Sequence, residues 1–112
     1  MDTPRFSLNG LKTKATIIDV YDGDTVTALF PFKGDMYKWK CRLYGIDTPE
    51  IRKEKVKAIE SRDFLRSLVL NKEVDLECLN FDKYGRVLVK IYTDKYINDH
   101  LVSLGYAKIY NL

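Results

Sequence analysis

One histidine and two cysteines are all that 112 residues offer in soft or imidazole ligands. A single histidine gives poor support to a histidine-based zinc site or a serine–histidine–aspartate triad. Cys41 and Cys78 make no CxxC pair and no metal-ligand spacing. Nothing in their separation demands a disulfide, so both read as core thiols. No apolar run reaches the roughly 18 residues that a spanning helix needs. The first residues, MDTPRFSLNGLKTK, hold neither an apolar signal region nor a cleavage site. The chain is therefore expected to be neither exported nor membrane-spanning, and to work inside the cell unless a leader precedes it. Internal repeats and low-complexity segments are absent too.

What is present fits one domain with one core. A 46% hydrophobic content supplies that core, and 31% charged with 12% aromatic residues is not the composition of a disordered chain. The net charge of +3 is compatible with an anionic partner without requiring one.

Residues 1–13 form a polar lead-in with Pro4 and an Asn9-Gly10 turn signal, and residues 14–112 form the domain. KATIIDVYDGDTVTALF is β-branched and aromatic and breaks only at Asp22-Gly23-Asp24, which predicts a hairpin. After a turn at PFKGD, the strand MYKWKCRLYGI alternates. Tyr37, Trp39, Cys41 and Leu43 share the core face, and Lys38, Lys40 and Arg42 the other. Beyond Pro49 the period changes. Ala58, Ser61, Leu65 and Leu68, with Phe64 alongside, predict an amphipathic helix of about four to five turns. Asn71 would end it. EVDLECL and RVLVKIY are two further strands joined by FDKYGR, where Gly85 takes the tight position. INDHLVSLGYA is a short helix, with Asn98 as cap and Gly105 as stop. Hairpin-linked strands cannot form a parallel sheet without crossovers. The expected fold is mainly β with helices (α+β): an antiparallel five-stranded OB-fold barrel, a helix plugging one end between strands three and four, and a short C-terminal helix.

Three turns carry the reactive side chains: DGDT at 22–25, IDTPE at 46–50 and DKYGR at 82–86. Each has an ordinary reading. DGD is a common turn, and its surroundings do not match an EF-hand. TPE is a common helix start, with Thr48 as N-cap and Pro49 at the first position. KYGR is a hairpin turn with a solvated arginine. Lys38 and Lys40 are the wet face of a strand, RKEKVK is a solvated helix face, and His100 is exposed with no role. Tyr37 and Trp39 are core. If the three turns converge, however, Asp24, Arg42, Asp47, Glu50 and Arg86 form one cluster. Two aspartates and a backbone carbonyl suit a hard divalent cation. Two guanidiniums suit a phosphate and its transition state, and Glu50 remains to take a proton from water.

Taken together, ATIIDVYDGDTV, CRLYGIDTPE, DKYGRVLVKIY and INDHLVSLGYAK resemble the thermonuclease, or staphylococcal-nuclease-like, family over residues 14–110. The resemblance implies an OB-fold phosphodiesterase that uses one calcium ion to cleave DNA and RNA with little sequence specificity, leaving 3′-phosphate ends. It implies Asp24, Asp47 and the Thr48 carbonyl as metal ligands, Arg42 and Arg86 as phosphate-binding and catalytic arginines, and Glu50 as general base. Lys83 and Tyr84 match substrate-phosphate contacts, while Tyr110 and Tyr106 are candidates to flank the base. The chain departs from the family in a longer hairpin, FPFKGDMYKWK, and a shorter TDKY turn. A monomer with no obligate protein partner and no membrane association is expected. The alternative is a catalytically silent OB module that binds nucleic acid or protein. Two aspartates and a glutamate beside a phosphate argue against it, because they repel the ligand unless a cation offsets them.

Overall fold

Val26, Ala28 and Phe30 are buried at every second position while Thr25, Thr27 and Leu29 between them are half-exposed, as a strand with one inward face requires. The computed structural model describes residues 5–110, so Pro4 and the chain end at Leu112 lie outside it. In chain order it contains β1 (Lys12–Asp22), β2 (Thr25–Phe32), β3 (Asp35–Leu43), β4 (Ile46–Asp47), α1 (Lys55–Val69), β5 (Glu73–Phe81), β6 (Val87–Tyr92), α2 (Ile97–Ser103) and β7 (Lys108–Ile109). Five strands close a barrel in the order β1-β2-β3-β6-β5. The OB-type α+β architecture is as expected. No described helix is long and apolar enough to cross a membrane.

One pairing differs from the antiparallel expectation: β3 and β6 run parallel, from Cys41↔Val87 to Leu43↔Val89. The reason is arithmetic. Strand direction alternates around an antiparallel ring, and an odd number of strands cannot close without one parallel pair. The pair is short, and beyond it Asn98 takes over. Asn98 is not a cap, since Tyr96 occupies that position of α2. Its buried side chain donates to the Tyr44 carbonyl (2.9 Å) and the Val89 carbonyl (3.1 Å) and accepts from the Ile91 amide (3.1 Å). It thus staples the end of β3 to β6 from the helix.

β1 changes register against β2 between Ile17 and Asp19 and again between Val20 and Asp22. Such irregularities bend a strand and free backbone groups. The Val20 carbonyl accepts both Nε (3.2 Å) and Nη2 (2.9 Å) of Arg66 on α1, and Asn71, with φ of 60°, donates its amide to Ile17 at 2.7 Å. These bonds and buried Ala58, Ser61, Leu65 and Val69 seat the helix on the barrel. Val69 rather than Leu68 takes the fully buried place, while Leu68 and Phe64 pack partly buried beside the core.

The helix start departs from the sequence reading. Thr48 and Pro49 do not begin α1, which starts at Lys55 after Glu54, with no side-chain cap. The Thr48 amide is bonded to the Asp24 carboxylate instead, and the Glu50 carbonyl closes a separate turn with the Lys53 and Glu54 amides. A two-stranded ladder, Ile46↔Ile109 and Asp47↔Lys108, has no counterpart in the sequence reading either. Within the lead-in, Leu8 is buried, and residues 10 and 11 exchange backbone bonds with Cys78. Both cysteines are buried free thiols, pushed upward in pKa by burial. Tyr37 is not core but 48% exposed, and His100 is half-buried near Phe64 rather than exposed.

Asn98→Leu removes three buried hydrogen bonds and strands their backbone partners. It is expected to lower unfolding free energy by about 2–3 kcal/mol in urea denaturation; a loss below about 0.5 kcal/mol would show that the staple carries no weight.

Candidate active site

The DGDT turn is fixed by close approach as well as by its hairpin. A Cβ on Gly23 would lie 2.8 Å from both the Ser61 Cβ and the Thr48 Cγ2, so only glycine lets α1 and the β4 exit close over the turn. That closure buries Asp24 to 5% exposure. Its carboxylate meets Arg42 Nη1 at 2.8 Å, accepts the Thr48 amide at 3.2 Å and accepts the Thr25 hydroxyl at 3.1 Å. Arg42 lies on the outer face of β3, as its alternation requires, yet its side chain is only 14% exposed. Its Nη2 donates to the Ile46 carbonyl at 3.0 Å and approaches Asp47 at 3.4 Å. Tyr110 lies 5.8 Å from the guanidinium, ring centroid to Cζ, placed by its amide bond to the Gly45 carbonyl at 2.8 Å.

Charge in this cluster is unevenly shared. Burial opposes ionisation of Asp24, but the Asp22 carboxyl, Arg42 and the Thr48 amide outweigh it and hold Asp24 below the usual carboxylate range. Burial, with Asp24 beside it, pushes Asp22 up to about 6. Burial opposes the charge on Arg42, and Asp24 and then Asp47 more than restore it. Two adjacent carboxylates that share a proton are a donor set from which a divalent cation displaces that proton.

The second arginine is organised locally. Asp82 accepts the Tyr84 and Arg86 amides at 2.9 Å each, and the Arg86 Nε at 2.7 Å. Gly85, with φ of 84°, lets the turn close. Tyr84 is 71% exposed, and its ring centroid lies 5.2 Å from the Lys83 ammonium and 5.4 Å from the Arg86 guanidinium carbon. The Arg86 Nη1 reaches the Thr25 hydroxyl at 3.4 Å, so Thr25 links the two arginine systems.

The three turns converge. A cleft of about 880 Å³ is lined by Asp24, Arg42, Asp47, Thr48, Glu50, Lys83, Tyr84, Arg86 and Tyr110, together with Asp22, Phe81 and Asp82 among others. Glu50 is exposed, and its nearest ionic partner is Lys53 at 3.9 Å. Tyr106 lies outside the cleft lining; it stacks on Phe64 at 4.3 Å, and its carbonyl accepts the Ser61 hydroxyl. Asp22 and Asp82 had no role in the sequence reading. Their signal was an aspartate two residues before an amide that needs a partner, the Asx-turn pattern. Among the described residues no three acidic, histidine or cysteine side chains converge. A cation here would rest on two carboxylates, Asp24 and Asp47, and the Thr48 carbonyl. This all-oxygen set fits a hard ion completed by water and substrate.

Burial opposes the charge on Asp82, but the Arg86 and Tyr84 amides and the Arg86 guanidinium outweigh it and depress its pKa. With the folded value below the unfolded one, its stabilisation is fully present above the unfolded pKa, about 4. It is lost as pH falls through the folded value. Asp82→Asn should thus cost about 1–2 kcal/mol at pH 7 and progressively less toward pH 2, measured by urea denaturation; an equal cost at both ends would refute the linkage.

Comparison with known proteins agrees with this geometry. A family model described as staphylococcal nuclease homologue matches residues 40–112. An uncharacterized protein of Methanocaldococcus jannaschii is 31% identical over an alignment covering 84% of this chain and 58% of its own. An uncharacterized endonuclease of Escherichia coli is 31% identical, covering 84% and 59%. One of Haemophilus influenzae is 36% identical, covering 88% and 53%. The chain thus spans between 53% and 59% of the length of these relatives. With the family model matched from β3 to the C-terminus and the DGDT turn seated against that segment, the chain belongs to the staphylococcal nuclease homologue family.

Proposed function

We propose that the protein is a calcium-dependent nuclease that hydrolyses phosphodiester bonds of DNA and RNA. The observation that carries this reading is the single cleft in which three turns gather two arginines, two aspartates and an exposed glutamate. The endonuclease names of two relatives support it.

On this reading Asp24, Asp47 and the Thr48 carbonyl would hold the cation, which when bound neutralises charge on the phosphate. Arg42 and Arg86 bind the non-bridging oxygens, and both are oriented in advance by carboxylates. Pre-orientation matters because a donor already aimed at developing charge needs no reorganisation as the barrier is crossed. Glu50, unshielded at the mouth, accepts the proton of the attacking water. The new P–O bond forms as the bond to the 5′-oxygen breaks, and the phosphate stays on the 3′ side. Lys83 and Tyr84 position the neighbouring backbone, and Tyr110 flanks the nucleoside. These groups address the backbone, so sequence preference is weak. All of them come from one chain, consistent with a monomer.

Three measurements test the proposal. Single-stranded DNA should be cut in calcium and left intact in excess chelator; cutting that persists in chelator removes the cation assignment. Binding without cutting in calcium would favour a silent nucleic-acid-binding module. Glu50→Gln should lower kcat by about 10²–10⁴ with little change in fold. Arg86→Ala should lower it by about 10²–10³. A wild-type rate in either variant would sink the role given to that residue.

A further inference from the structure

The β2–β3 hairpin extends past the barrel. β3 pairs with β6 only from Cys41 to Leu43, so Asp35–Lys40 have β2 as their one strand partner among the described residues. A connected series of aromatic rings runs along this projection and begins inside the cleft. Phe81 lines the cleft and lies 6.0 Å from Phe6, ring centroid to ring centroid. Phe6 lies 5.3 Å from Phe32, Phe32 6.2 Å from Trp39, and Trp39 5.8 Å from Tyr37. A minor core that merely steadied the hairpin would bury its outermost rings, yet Phe6 is 56% and Tyr37 48% exposed. From Phe6 to Tyr37 the contacts are edge-to-face, at 75° to 82°, so these rings do not cover one another's faces. Trp39 lays one face on buried Phe30 and gives its indole N–H to the Phe30 carbonyl at 3.2 Å, so it is held rigidly.

Charge marks both ends. Lys83 stands at the cleft end, and Lys33 at the hairpin tip lies 5.5 Å from the Phe32 ring. Over β2 and β3, Lys33, Lys38, Lys40 and Arg42 face Asp35 as the sole acid. None of these three lysines makes an ion pair among the described residues. We propose that this ring series is a stacking track for the bases of a single-stranded nucleic acid whose backbone continues into the cleft. The occupant follows from two features together: aromatic faces with unpaired lysines, which suit bases and phosphates, and physical continuity with the phosphate-binding cleft. The proposal rests on the nuclease reading for the direction of the strand but not for the binding itself.

Trp39 is the only tryptophan, so its emission reports the track directly. Adding single-stranded oligothymidylate in chelator, where the proposed reaction is off, should change Trp39 fluorescence saturably. Tyr37→Ala should weaken that binding by about fivefold or more, and Tyr37→Phe should restore it. In calcium, Tyr37→Ala should raise KM for the oligomer and leave cleavage of a dinucleotide unchanged. If the oligomer is cut while Trp39 emission does not respond and Tyr37→Ala keeps the wild-type KM, the track is overturned and the nuclease reading stands. If Trp39 responds and Tyr37→Ala binds weakly but nothing is cut, the track stands and the nuclease reading falls.

Discussion

The site depends on one buried ion pair, Arg42 with Asp24. Neither partner tolerates the loss of the other, because an uncompensated buried charge costs about 3–5 kcal/mol. Asp24 also accepts the Thr48 amide, so the same carboxylate holds the β1–β2 turn, the outer face of β3 and the exit of β4 in one arrangement. Gly23 makes this possible by yielding its side-chain volume to Thr48 and Ser61. Removing Arg42 would thus disturb fold and chemistry together, whereas Arg86, held by its own turn, can be changed with less structural consequence.

The two guanidiniums are prepared differently for the same task. Asp82 grips Arg86 within five residues and leaves the Nη groups facing Thr25 and the cleft. Arg42 is gripped by acids that are themselves the proposed cation ligands. An entering phosphate must compete with Asp24 and Asp47 for Arg42, and anything that neutralises those acids lowers the competition. On the proposed function, cation and phosphate binding therefore reinforce each other, reciprocally by linkage. The raised Asp22 carboxyl belongs to the same balance: with Asp24 ionised beside it, proton uptake is the cheaper response to burial.

Much of this was legible in the sequence, and the failures share a cause. Strand alternation placed Cys41 and Leu43 inside and Arg42 outside, because a period of two is local and strong. The three turns announced themselves through Asp, Gly and Pro, and the resemblance carried each site residue to the cleft. What was missed depends on partners distant in sequence. Thr48 has the composition of a helix cap, but its amide was claimed by Asp24 across 24 residues. Asn98 has the composition of a cap too, yet it bonds backbone groups of β3's end and β6. The β4–β7 ladder is two residues long, too short for any period to show. Tyr37 followed the core pattern but lies where β3 has run past the barrel, so its inward face meets no β6 neighbour.

Barrel closure explains why the chemistry sits where it does. An odd ring needs a parallel pair, and the pair is β3–β6. Across it Arg42 is level with Leu88, and on its other side Arg42 is level with Thr25. Three adjacent strands thus carry Asp24, Arg42 and Arg86 within two residues of a common row, although they are separated by up to 62 residues in the chain. The row is held by register rather than by the charges themselves. A one-residue slip of β3 would turn Arg42 into the barrel interior and bring Cys41 to the cleft, at the combined cost of a buried cation and an abandoned Asp24. The hydrophobic alternation that specifies the fold is therefore also what sets the site: each apolar residue that must face inward fixes the outward position of the charged residue beside it.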